Sequence, residues 1–554
     1  MYVSHPLIKP DSIESRAYQQ SVLASALNKN ILCVLPTGLG KTPIAALLAA
    51  HRLNENQSSK ILIMAPTRPL VNQHYKSFLN FLNIDETLFV VITGVISPEK
   101  REEIYKNKKL VFATPQTIKN DLEENRLNLK EFSLLVLDEV HHAIGDYAYP
   151  FIAKTYLAQA KNPKILGLTA SPGADKGKIE EICKNTGLDA IEIRTEEDED
   201  VKPYINEKEI GWVSVELPEN FDRIRTLLKS AYYQRIETLR KMWLLKRKNP
   251  TKKDLLLLQS NLMAKIKAGN RDAFIGLSLA LPAIKIEHAI GLLETQGIPI
   301  LENYWKKVRE DKSRYSIALV KDKTISNAMW LTNSLFEEGY KHPKMSKLCS
   351  IVSAEVNQRK GSKIIVFATY RDTVSHIASA LGKIEGSRPV EFIGQGKRGS
   401  ENKQVNNRFK KNVNQKEENK KLNTDFQKAV DMQPQDKPIQ EVKKGLTQKE
   451  QIQRLEDFKS GVYNVLVCTS IGEEGLHVAD ADIAIFYEPA PSEIRSIQRR
   501  GRVGRSKIGK IIVLITKGTR DEAYHWSSLN KEKKMKWILY GMQQKSLNPQ
   551  IPSK

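Results

Sequence analysis

Short apolar runs alternate with amphipathic segments along most of this chain. The first set consists of ILCVL (31–35), ILIMA (61–65), LFVVI (88–92), LVFAT (110–114), LLVLDE (134–139) and ILGLTA (165–170). These runs are rich in Val, Ile and Leu, and apolar and polar positions do not strictly alternate within them. They therefore predict strands buried on both faces, as in a parallel sheet covered by helices.

A second set of apolar runs follows downstream: IIVFAT (364–369), VEFIG (390–394), VLVCTS (465–470), IAIFYE (483–488) and IIVLIT (511–516). Segments with helical periodicity separate the runs in both sets. Two sets of strands with interleaved helices predict an α/β fold with two parallel-sheet domains in tandem. We assign the first domain to residues 1–205 and the second to residues 336–535.

The pattern changes between these domains, where long helical stretches replace the short runs. Residues 206–335 are therefore predicted to form a separate all-α insert domain. Within it, residues 240–254 (RKMWLLKRKNPTKKD) combine many Lys and Arg side chains with aromatic and apolar ones. Such a segment could bind along the phosphates of a nucleic-acid backbone. The alternative is that it is the solvated face of an amphipathic helix.

Two further segments lie outside the predicted strands and helices, and one of them differs from the rest in composition. Residues 396–444 are poor in apolar side chains and rich in Lys, Asn, Gln and Glu, so they cannot bury enough surface to become ordered. We predict a disordered, net-basic insertion there, inside the second α/β domain. Residues 536–554 are predicted to form a C-terminal tail.

The charge balance favours a polyanionic partner. The 554 residues include 87 Lys and Arg against 64 Asp and Glu, which gives a formal net charge of +23. Nucleic acid is the first candidate and an anionic membrane surface the second. The chain has neither the apolar core of a signal peptide at its start nor an apolar run of roughly 18–20 residues. We therefore expect a cytoplasmic protein, nucleoid-associated in a prokaryote, and no action at a membrane.

Cysteine usage excludes two further classes of protein. Cys33, Cys183, Cys349 and Cys468 lie far apart and form no CxxC pair. A disulfide scaffold and a zinc ribbon are thereby ruled out, and the pattern suits a reducing compartment.

The strongest local motif is LPTGLGKT (35–42), between a predicted strand and a predicted helix. Its glycines allow tight turns and a close approach of the backbone to a ligand, and loop amides beside a helix N-terminus bind phosphate. Lys41 would contact the β- and γ-phosphates, and the Thr42 hydroxyl would bind Mg²⁺. The strict GxxxxGK[ST] form is not met, because its first position is Leu. We predict that ATP is bound by Leu35, Pro36, Thr37, Gly38, Leu39, Gly40, Lys41 and Thr42.

Asp138 and Glu139 end a buried strand. Adjacent carboxylates in that position are costly unless a cation or hydrogen bonds satisfy them. Asp138 is predicted to hold Mg²⁺, and Glu139 to polarise the attacking water as general base. Since His141 and His142 have no Cys or third ligand nearby, they make a poor zinc site. We expect His141 to couple the carboxylates to the rest of the protein.

A cluster of arginines lies far downstream, in QRRGRVGR (498–505). Such a cluster needs an anionic partner or a solvated surface. We predict that Gln498, Arg502 and Arg505 act on a nucleotide held by the first domain. An arginine in that role stabilises charge on the transferred phosphoryl group and is worth about 10³–10⁵ in rate. This chemistry requires the two α/β domains to close on each other.

In chain order, PTGLGKT, DEVH, TAS (169–171) and QRRGRVGR resemble motifs I, II, III and VI of superfamily-2 helicases. The further matches are IESRAYQQ (13–20) to the adenine-reading Q motif, APTRPLVNQ (65–73) to motif Ia, TPQT (114–117) to Ib, IIVFATYRDT (364–373) to IV and TSIGEEGL (469–476) to V. The resemblance implies two RecA-like motor domains, ATP and Mg²⁺ as cofactors, and Gln19 as the adenine reader. It also implies that ATP and DNA are coupled through Thr169, Ser171, Gly475 and His477.

The finer resemblance is to the archaeal Hef helicase and its Fanconi-anaemia M-type relatives. It is carried by HPLIKPDSIESRAYQ at the start, DYAYPF (146–151), DVKPYI (200–205), LLETQG (292–297), HPKM (342–345), GLTQKEQ (445–451) and EPAPSEIRSIQRRGRVGR (488–505). It covers nearly the whole chain apart from about residues 396–444. It implies a helical insert that grips branched DNA, 3′-to-5′ movement driven by ATP, and remodelling of replication forks and Holliday junctions in DNA repair.

The resemblance also implies which residues hold a DNA strand. The motor-domain candidates are Arg68, Thr114, Gln116, Arg371 and Thr469. Lys285 and His288, spaced i,i+3 on one predicted helix, are candidates in the insert. The alternatives are structural: caps and turns for the loop residues, and a solvated surface for the helix residues.

Two departures from the family pattern matter. His477 stands where the family usually has Asp, so coupling between ATP and DNA is expected to differ there and to depend on pH. The ERKxxxD motif of an appended nuclease domain is absent from the sequence. We expect a motor without its own nuclease, with a separate nuclease or a sliding clamp as candidate partners.

Two rival hypotheses remain open. One is a DExH helicase directed at RNA duplexes, since such proteins share the motor core and carry a helical insert. The other is a scaffold that binds junctions and recruits a nuclease while its ATP site has lost activity. The intact Lys41, Asp138, Glu139, Arg502 and Arg505 argue against the scaffold.

Overall fold

The structure, a computed structural model, describes residues 2–205, 208–394, 446–469, 481–490, 497 and 509–547. In these residues it contains two parallel sheets flanked by helices, with a helical bundle between them. The predicted fold class, two tandem parallel-sheet domains with an all-α insert, is confirmed. The predicted disordered insertion at 396–444 lies outside the described residues.

Seven described strands form the first sheet: β1 (Ile31–Val34), β2 (Lys60–Met64), β3 (Phe89–Ile92), β4 (Leu110–Ala113), β5 (Phe132–Asp138), β6 (Ile165–Thr169) and β7 (Ala190–Ile193). Their order is β3–β4–β2–β5–β6–β1–β7, and all pairs are parallel. The central strands β5, β6 and β1 are buried along their whole length. This burial on both faces explains why their sequences are continuous apolar runs.

Helices cover both faces of this sheet: α1 (Ala17–Asn28), α2 (Lys41–Glu55), α3 (Arg68–Phe81), α4 (Pro98–Asn107), α5 (Pro115–Glu123), α6 (Ala148–Gln159) and α7 (Lys176–Thr186). One hydrophobic cluster contains Leu48 and Phe78 from α2 and α3. The other contains Ile152 and Ile182 from α6 and α7. The sheet is thus the middle layer of three.

The insert comprises α8 (Glu219–Lys241), α9 (Lys252–Lys267), α10 (Ala273–Thr295), α11 (Ile298–Glu310), α12 (Arg314–Lys321) and α13 (Lys323–Glu337). Its core surrounds α10, which packs against α8, α9 and α11. Of the helices described, α10 alone is long and apolar enough to span a membrane by length and composition. Its apolar character follows from its central place in the bundle, where Ile286 and Leu293 are fully buried.

The second sheet contains β8 (Lys208–Val215), β9 (Ile364–Phe367), β10 (Pro389–Phe392), β11 (Val465–Cys468), β12 (Ile483–Phe486) and β13 (Gly509–Thr516). Their order is β10–β11–β9–β12–β13–β8, and all pairs are again parallel. The described helices of this domain are α14 (Pro343–Gln358), α15 (Arg371–Leu381), α16 (Gln448–Ser460) and α17 (Arg520–Leu547).

The boundary predicted at residue 206 is wrong in one respect, because β8 belongs to the second sheet and not to the insert. It pairs with β13 along its full length, from Lys208 opposite Gly509 to Val215 opposite Thr516. As an edge strand it leaves Trp212 half exposed, so its sequence lacks the apolar run of a buried strand.

The tail predicted at residues 536–554 is also wrong as far as the structure describes it. Residues 536–547 continue α17, a helix of 28 residues. Met535, Ile538 and Leu539 share one helix face and are buried against the first domain. The Tyr540 hydroxyl adds a 2.8 Å hydrogen bond to Asp198.

The insert is fixed to the second domain through polar side chains. Gln296 donates to Glu488 at 2.5 Å and accepts from the Thr373 hydroxyl at 2.5 Å. Arg520, at the start of α17, forms a 2.8 Å ion pair with Glu287 of α10. One end of α17 is therefore held by the insert while its other half packs on the first domain.

A fully buried ion pair joins α14 to the first turn of α17. Lys344 and Asp521 are each shielded from solvent and contact one another. Removing one partner of such a pair leaves the other charge buried and uncompensated. We expect Lys344→Met to lower the free energy of unfolding by about 3–5 kcal/mol. Urea denaturation checks this, with the exposed Lys347→Met as control; equal stability of the two variants would contradict it.

Candidate functional site

The phosphate loop links β1 to α2 at the carboxyl edge of the first sheet. Gly38 and Gly40 have φ of +93° and +78°, a region that disfavours side chains with a Cβ. The Lys41 ammonium donates to the carbonyl of Leu35 at 2.9 Å and so lies across the loop. The loop therefore has the backbone conformation and the cation that a phosphate site needs.

The segment before α2 is held by two side chains of α1. The Tyr18 hydroxyl and the Gln19 amide donate to the carbonyl of Leu39 at 2.7 and 3.3 Å. A Cβ at Gly40 would come within 2.3 Å of the Gln19 amide nitrogen. Gln19 thus lies directly against the loop, and its role as the adenine reader stays a prediction.

Asp138 ends β5 beside the loop and contacts a histidine that the sequence analysis did not single out. His74, on α3, lies with Nε2 2.8 Å from Asp138 Oδ2, and both side chains are buried. Burial raises the pKa of Asp138, but the adjacent His74 and the nearby Lys41 outweigh it, so the net pKa is lowered. Asp138 is therefore ionised at neutral pH and can bind a cation.

Glu139 has an unusual backbone, with φ of +49° for a residue that has a Cβ. Its Oε2 atom is buried and has no hydrogen-bond partner in the described part of the chain. His141 Nδ1 lies 3.2 Å away without the alignment of a hydrogen bond, and contacts Thr169 Oγ1 at 3.1 Å instead. A buried carboxylate oxygen without a hydrogen-bond partner can accept a hydrogen bond, and then a proton, from a water molecule.

A chain of contacts runs from this carboxylate to the C-terminal helix. Thr169 Oγ1 accepts from the Ser171 amide at 3.1 Å. The Ser171 hydroxyl in turn donates to the sulfur of Met535 on α17 at 3.0 Å. The predicted coupling residues His141, Thr169 and Ser171 are thus contiguous.

The groups at this edge fit a complex of ATP with Mg²⁺. Mg²⁺ usually takes one or two carboxylates, keeps several waters and shares phosphate oxygens with its nucleotide. The Asp138 carboxylate and the Thr42 hydroxyl at the start of α2 supply a set of that kind. The carboxylate is charged, and the cationic Lys41 lies nearby.

The DNA-binding candidates of the motor domains follow the carboxyl ends of strands. Arg68 begins α3 after β2, Thr114 occupies the N-cap position of α5 after β4, Arg371 begins α15 after β9, and Thr469 follows β11. Arg68 and Gln116 are exposed, whereas Thr469 is buried. Ligands of open parallel sheets bind at this edge.

Lys285 has an intramolecular partner, which favours the structural alternative. It forms a 2.7 Å ion pair with Asp311 and also contacts Ser316. Burial raises the pKa of Asp311, but hydrogen bonds from Lys285 and Ser316 lower it to a net value of about 2. His288 packs edge-on against Tyr304, with ring centroids 5.1 Å apart. These two side chains therefore serve the packing of the bundle.

This assignment predicts the behaviour of Lys285→Met. Because the lysine is paired inside the bundle, we expect the free energy of unfolding to fall by about 1–3 kcal/mol. Affinity for forked DNA should stay unchanged, since no charge is removed from a DNA-facing surface. Denaturation and fluorescence anisotropy measure the two quantities, with the exposed Lys321→Met as control. Weaker DNA binding at unchanged stability would contradict the assignment.

Five predicted residues lie outside the described residues: Gln498, Arg502, Arg505, Gly475 and His477. Their roles stay predictions. The residue directly before Gln498, Ile497, is described and packs against the hydrophobic cluster shared by the first domain and α17.

Sequence reasoning missed three residues of the site. His74 contacts Asp138, and the Tyr149 hydroxyl donates to the Asp138 carbonyl at 2.6 Å. The sulfur of Met535 accepts a hydrogen bond from the Ser171 hydroxyl. His74 follows the motif Ia string APTRPLVNQ directly, and Tyr149 lies in DYAYPF. Their positions beside motifs were the available signal, whereas nothing in the sequence linked Met535 to residue 171.

Family models and relatives agree with this architecture. The DEAD/DEAH box helicase model matches residues 16–178, the helicase conserved C-terminal domain residues 413–507, and an RNA helicase helical-bundle model residues 220–335. The fold and the site together define a superfamily-2 helicase core.

Similar proteins narrow this class. A Methanocaldococcus jannaschii protein, named as a candidate ATP-dependent RNA helicase, is 40% identical across 98% of this chain and 63% of its own length. The ATP-dependent DNA helicase MPH1 of Pyricularia oryzae is 32% identical across 95% of this chain and 46% of its own. The Fanconi anemia group M protein homolog of Mus musculus is 29% identical across 95% of this chain and 26% of its own length. The chain thus spans 63% or less of these relatives' lengths.

The crystal structure of the Pyrococcus furiosus Hef helicase domain matches with a TM-score of 0.68 and 39% identity. The match covers 94% of this chain and all of that one. The chain belongs to the Hef, Fanconi-anaemia M and Mph1-type family of superfamily-2 helicases.

Proposed function

We propose that this chain is a DNA-dependent ATPase that moves 3′ to 5′ and remodels forked and four-way-junction DNA in replication-fork repair. The observation that carries the proposal is the continuous set of contacts at one sheet edge. Lys41 lies across the phosphate loop with its charge near Asp138, and His141, which contacts Glu139, connects that carboxylate to Thr169 and Ser171. Such a connection is what a motor needs to transmit hydrolysis to its other domain.

Each residue of the ATP site has a distinct role in the proposal. Lys41 neutralises charge on the β- and γ-phosphates, and Thr42 and Asp138 hold Mg²⁺, which when bound offsets the charge that develops on the phosphates. Glu139 accepts a proton from the attacking water through its buried Oε2 atom. His141, which lies 3.2 Å from that carboxylate and contacts Thr169, would connect the two.

The second domain would complete the site. Gln498, Arg502 and Arg505 are proposed to contact the terminal phosphate when the two domains close, so that ATP favours the closed state. Helix α17 supports such coupling, because Met535 touches Ser171 of the first domain while Arg520 is held by the insert. A change in domain spacing must therefore move or break contacts near the ATP site.

DNA contacts are proposed at the carboxyl edges of both sheets. Arg68, Thr114, Gln116, Arg371 and Thr469 would hold one strand through its phosphates, so binding should tolerate sequence and weaken with salt. Branched DNA, a separate nuclease and a sliding clamp are the proposed partners. The proposed location is the cytoplasm, at the nucleoid in a prokaryote.

A second candidate is an RNA-duplex-directed helicase. It is favoured by the helical-bundle model over residues 220–335 and by the name of the Methanocaldococcus relative. ATP turnover compared on forked DNA, a Holliday junction, linear DNA duplex and double-stranded RNA separates the two. We expect the fork and the junction to stimulate most. Strongest stimulation by double-stranded RNA would favour the second candidate, and no stimulation by any nucleic acid would favour a scaffold.

His74 gives a sharper test of the magnesium site. Groups that orient a metal ligand typically contribute 10–100-fold to metal affinity or activity. We therefore expect His74→Ala to raise the Mg²⁺ concentration that half-saturates ATP turnover by about tenfold. The control is His51→Ala, a histidine on α2 paired with exposed Glu55. Identical Mg²⁺ titrations of the two variants would rule out a role for His74.

A further inference from the structure

The turn that follows α8 in the insert carries a tryptophan that is almost fully exposed. Trp243, just after α8, is 94% exposed, the highest value among the large hydrophobic side chains of the described residues. Burying an indole is strongly favourable, whereas leaving one in water contributes nothing to the fold. Core packing therefore does not explain its presence.

The backbone at this position makes the choice of residue more unusual. The amide of Leu244 donates to the carbonyl of Leu239 at 3.0 Å, and the amide of Trp243 donates to the carbonyl of Arg240 at 2.9 Å. This pair of bonds is a Schellman motif, whose turning residue is usually Gly because it takes positive φ. Trp243 occupies that position with φ of +59°. A bulky residue there costs about 1–2 kcal/mol, and such outliers concentrate at functional sites.

The residues next to Trp243 in the turn pack against the helical bundle. A Cβ at Gly276 of α10 would come within 2.6 Å of the Leu244 side chain, so Leu244 fits closely into the bundle. The Tyr232 hydroxyl also reaches the carbonyl of Pro250 at 3.5 Å. The neighbours are thus fixed while the indole points into solvent.

The surroundings of the ring are strongly cationic. Residues 240–253 contain seven Lys and Arg and no Asp or Glu. Arg240 and Arg247 have acidic partners, Glu237 and Asp254, while Lys246 and Lys248 are exposed. An exposed aromatic ring within a cationic segment matches the way proteins bind single strands, with bases stacked on rings and phosphates near cations.

We propose that Trp243 is a stacking platform for an unpaired base of a DNA strand, with the cations of residues 240–253 along its phosphates. Helix α8 spans 23 residues, about 35 Å at 1.5 Å per residue. It begins beside the second domain, where Arg225 donates to the carbonyl of Gly518 at 3.2 Å. Trp243 follows the opposite end of this helix, so the proposed platform lies far from the contact with the second domain. The inference rests on the proposed DNA-directed function.

The test compares W243G with wild type on a fork with single-stranded arms and on a blunt duplex of equal length. Glycine suits the turn, so W243G should keep its thermal unfolding temperature. Stacking of one base is worth enough that fork affinity should fall about tenfold, with little change on blunt duplex. W243F should restore most of the loss. The matched control is W330A, which removes an indole that is 69% exposed on α13.

A second readout locates the contact directly. With 5-iodouracil at an unpaired position beside the fork junction, irradiation should cross-link the base to Trp243 in wild type but not in W243G. Equal fork affinities for wild type and W243G, or an equal loss of fork affinity in W330A and W243G, would overturn the role of Trp243. Either result would leave the proposed DNA-directed function intact. Cross-links elsewhere with none at Trp243 would overturn that role too. Failure of wild type to bind any DNA would overturn the proposed function as well.

Discussion

Lys41→Ala is expected to reduce DNA-stimulated ATP turnover by at least about 10²–10³-fold, the usual cost of losing one preorganised group at developing charge. The ammonium already lies across the phosphate loop, 2.9 Å from the Leu35 carbonyl, and no other Lys or Arg of the loop can replace it. Steady-state release of phosphate at saturating fork DNA measures the effect.

The control for this variant is Lys100→Ala, which removes an exposed lysine of α4 in the same domain. It should turn over ATP at the wild-type rate. Retention of half the wild-type rate by Lys41→Ala would refute the role assigned to the loop.

Glu139→Gln is expected to separate binding from chemistry. General-base catalysis contributes about 10²–10⁴-fold, so turnover should fall by that factor. The amide is isosteric and uncharged, so nucleotide affinity should be kept. Single-turnover hydrolysis and binding of a fluorescent ATP analogue report the two quantities separately.

The matched control is Glu103→Gln, an exposed carboxylate on α4. If Glu139→Gln hydrolyses ATP as fast as this control, the buried Oε2 atom is not the proton acceptor. If both binding and turnover are lost, the residue shapes the nucleotide pocket instead.

The sequence predicted the parts of the fold whose side chains are buried within a domain. Strands such as β5 and β11 are buried throughout, so their apolar runs were unambiguous. The edge strand β8 was missed because backbone hydrogen bonds to β13 hold it, and backbone bonding leaves little trace in side-chain pattern.

The C-terminal helix was missed for a different reason. Its apolar positions, Met535, Ile538 and Leu539, are interspersed with lysines, and they pack on a domain that lies more than 300 residues earlier in the chain. A short amphipathic stretch cannot reveal such a distant partner. The same limit hid the contact between Ser171 and Met535.

Site residues were predictable where chemistry restricts the choice of side chain. Lys41, Asp138 and Glu139 belong to motifs with few alternative roles, and the Lys41 charge lies near Asp138, while their catalytic roles stay predictions. Lys285 was not predictable in this way, because a lysine on a helix face can pair with a phosphate or with Asp311. Only the folded bundle distinguishes these partners.

The most direct test of the central claim is whether this chain moves along DNA when it hydrolyses ATP. Streptavidin bound to a biotinylated single strand reports such movement, since a motor that travels 3′ to 5′ displaces it from the 5′ end. We predict ATP-dependent displacement from the 5′ end by wild type and none by Lys41→Ala. ATP hydrolysis without displacement from either end would contradict the account.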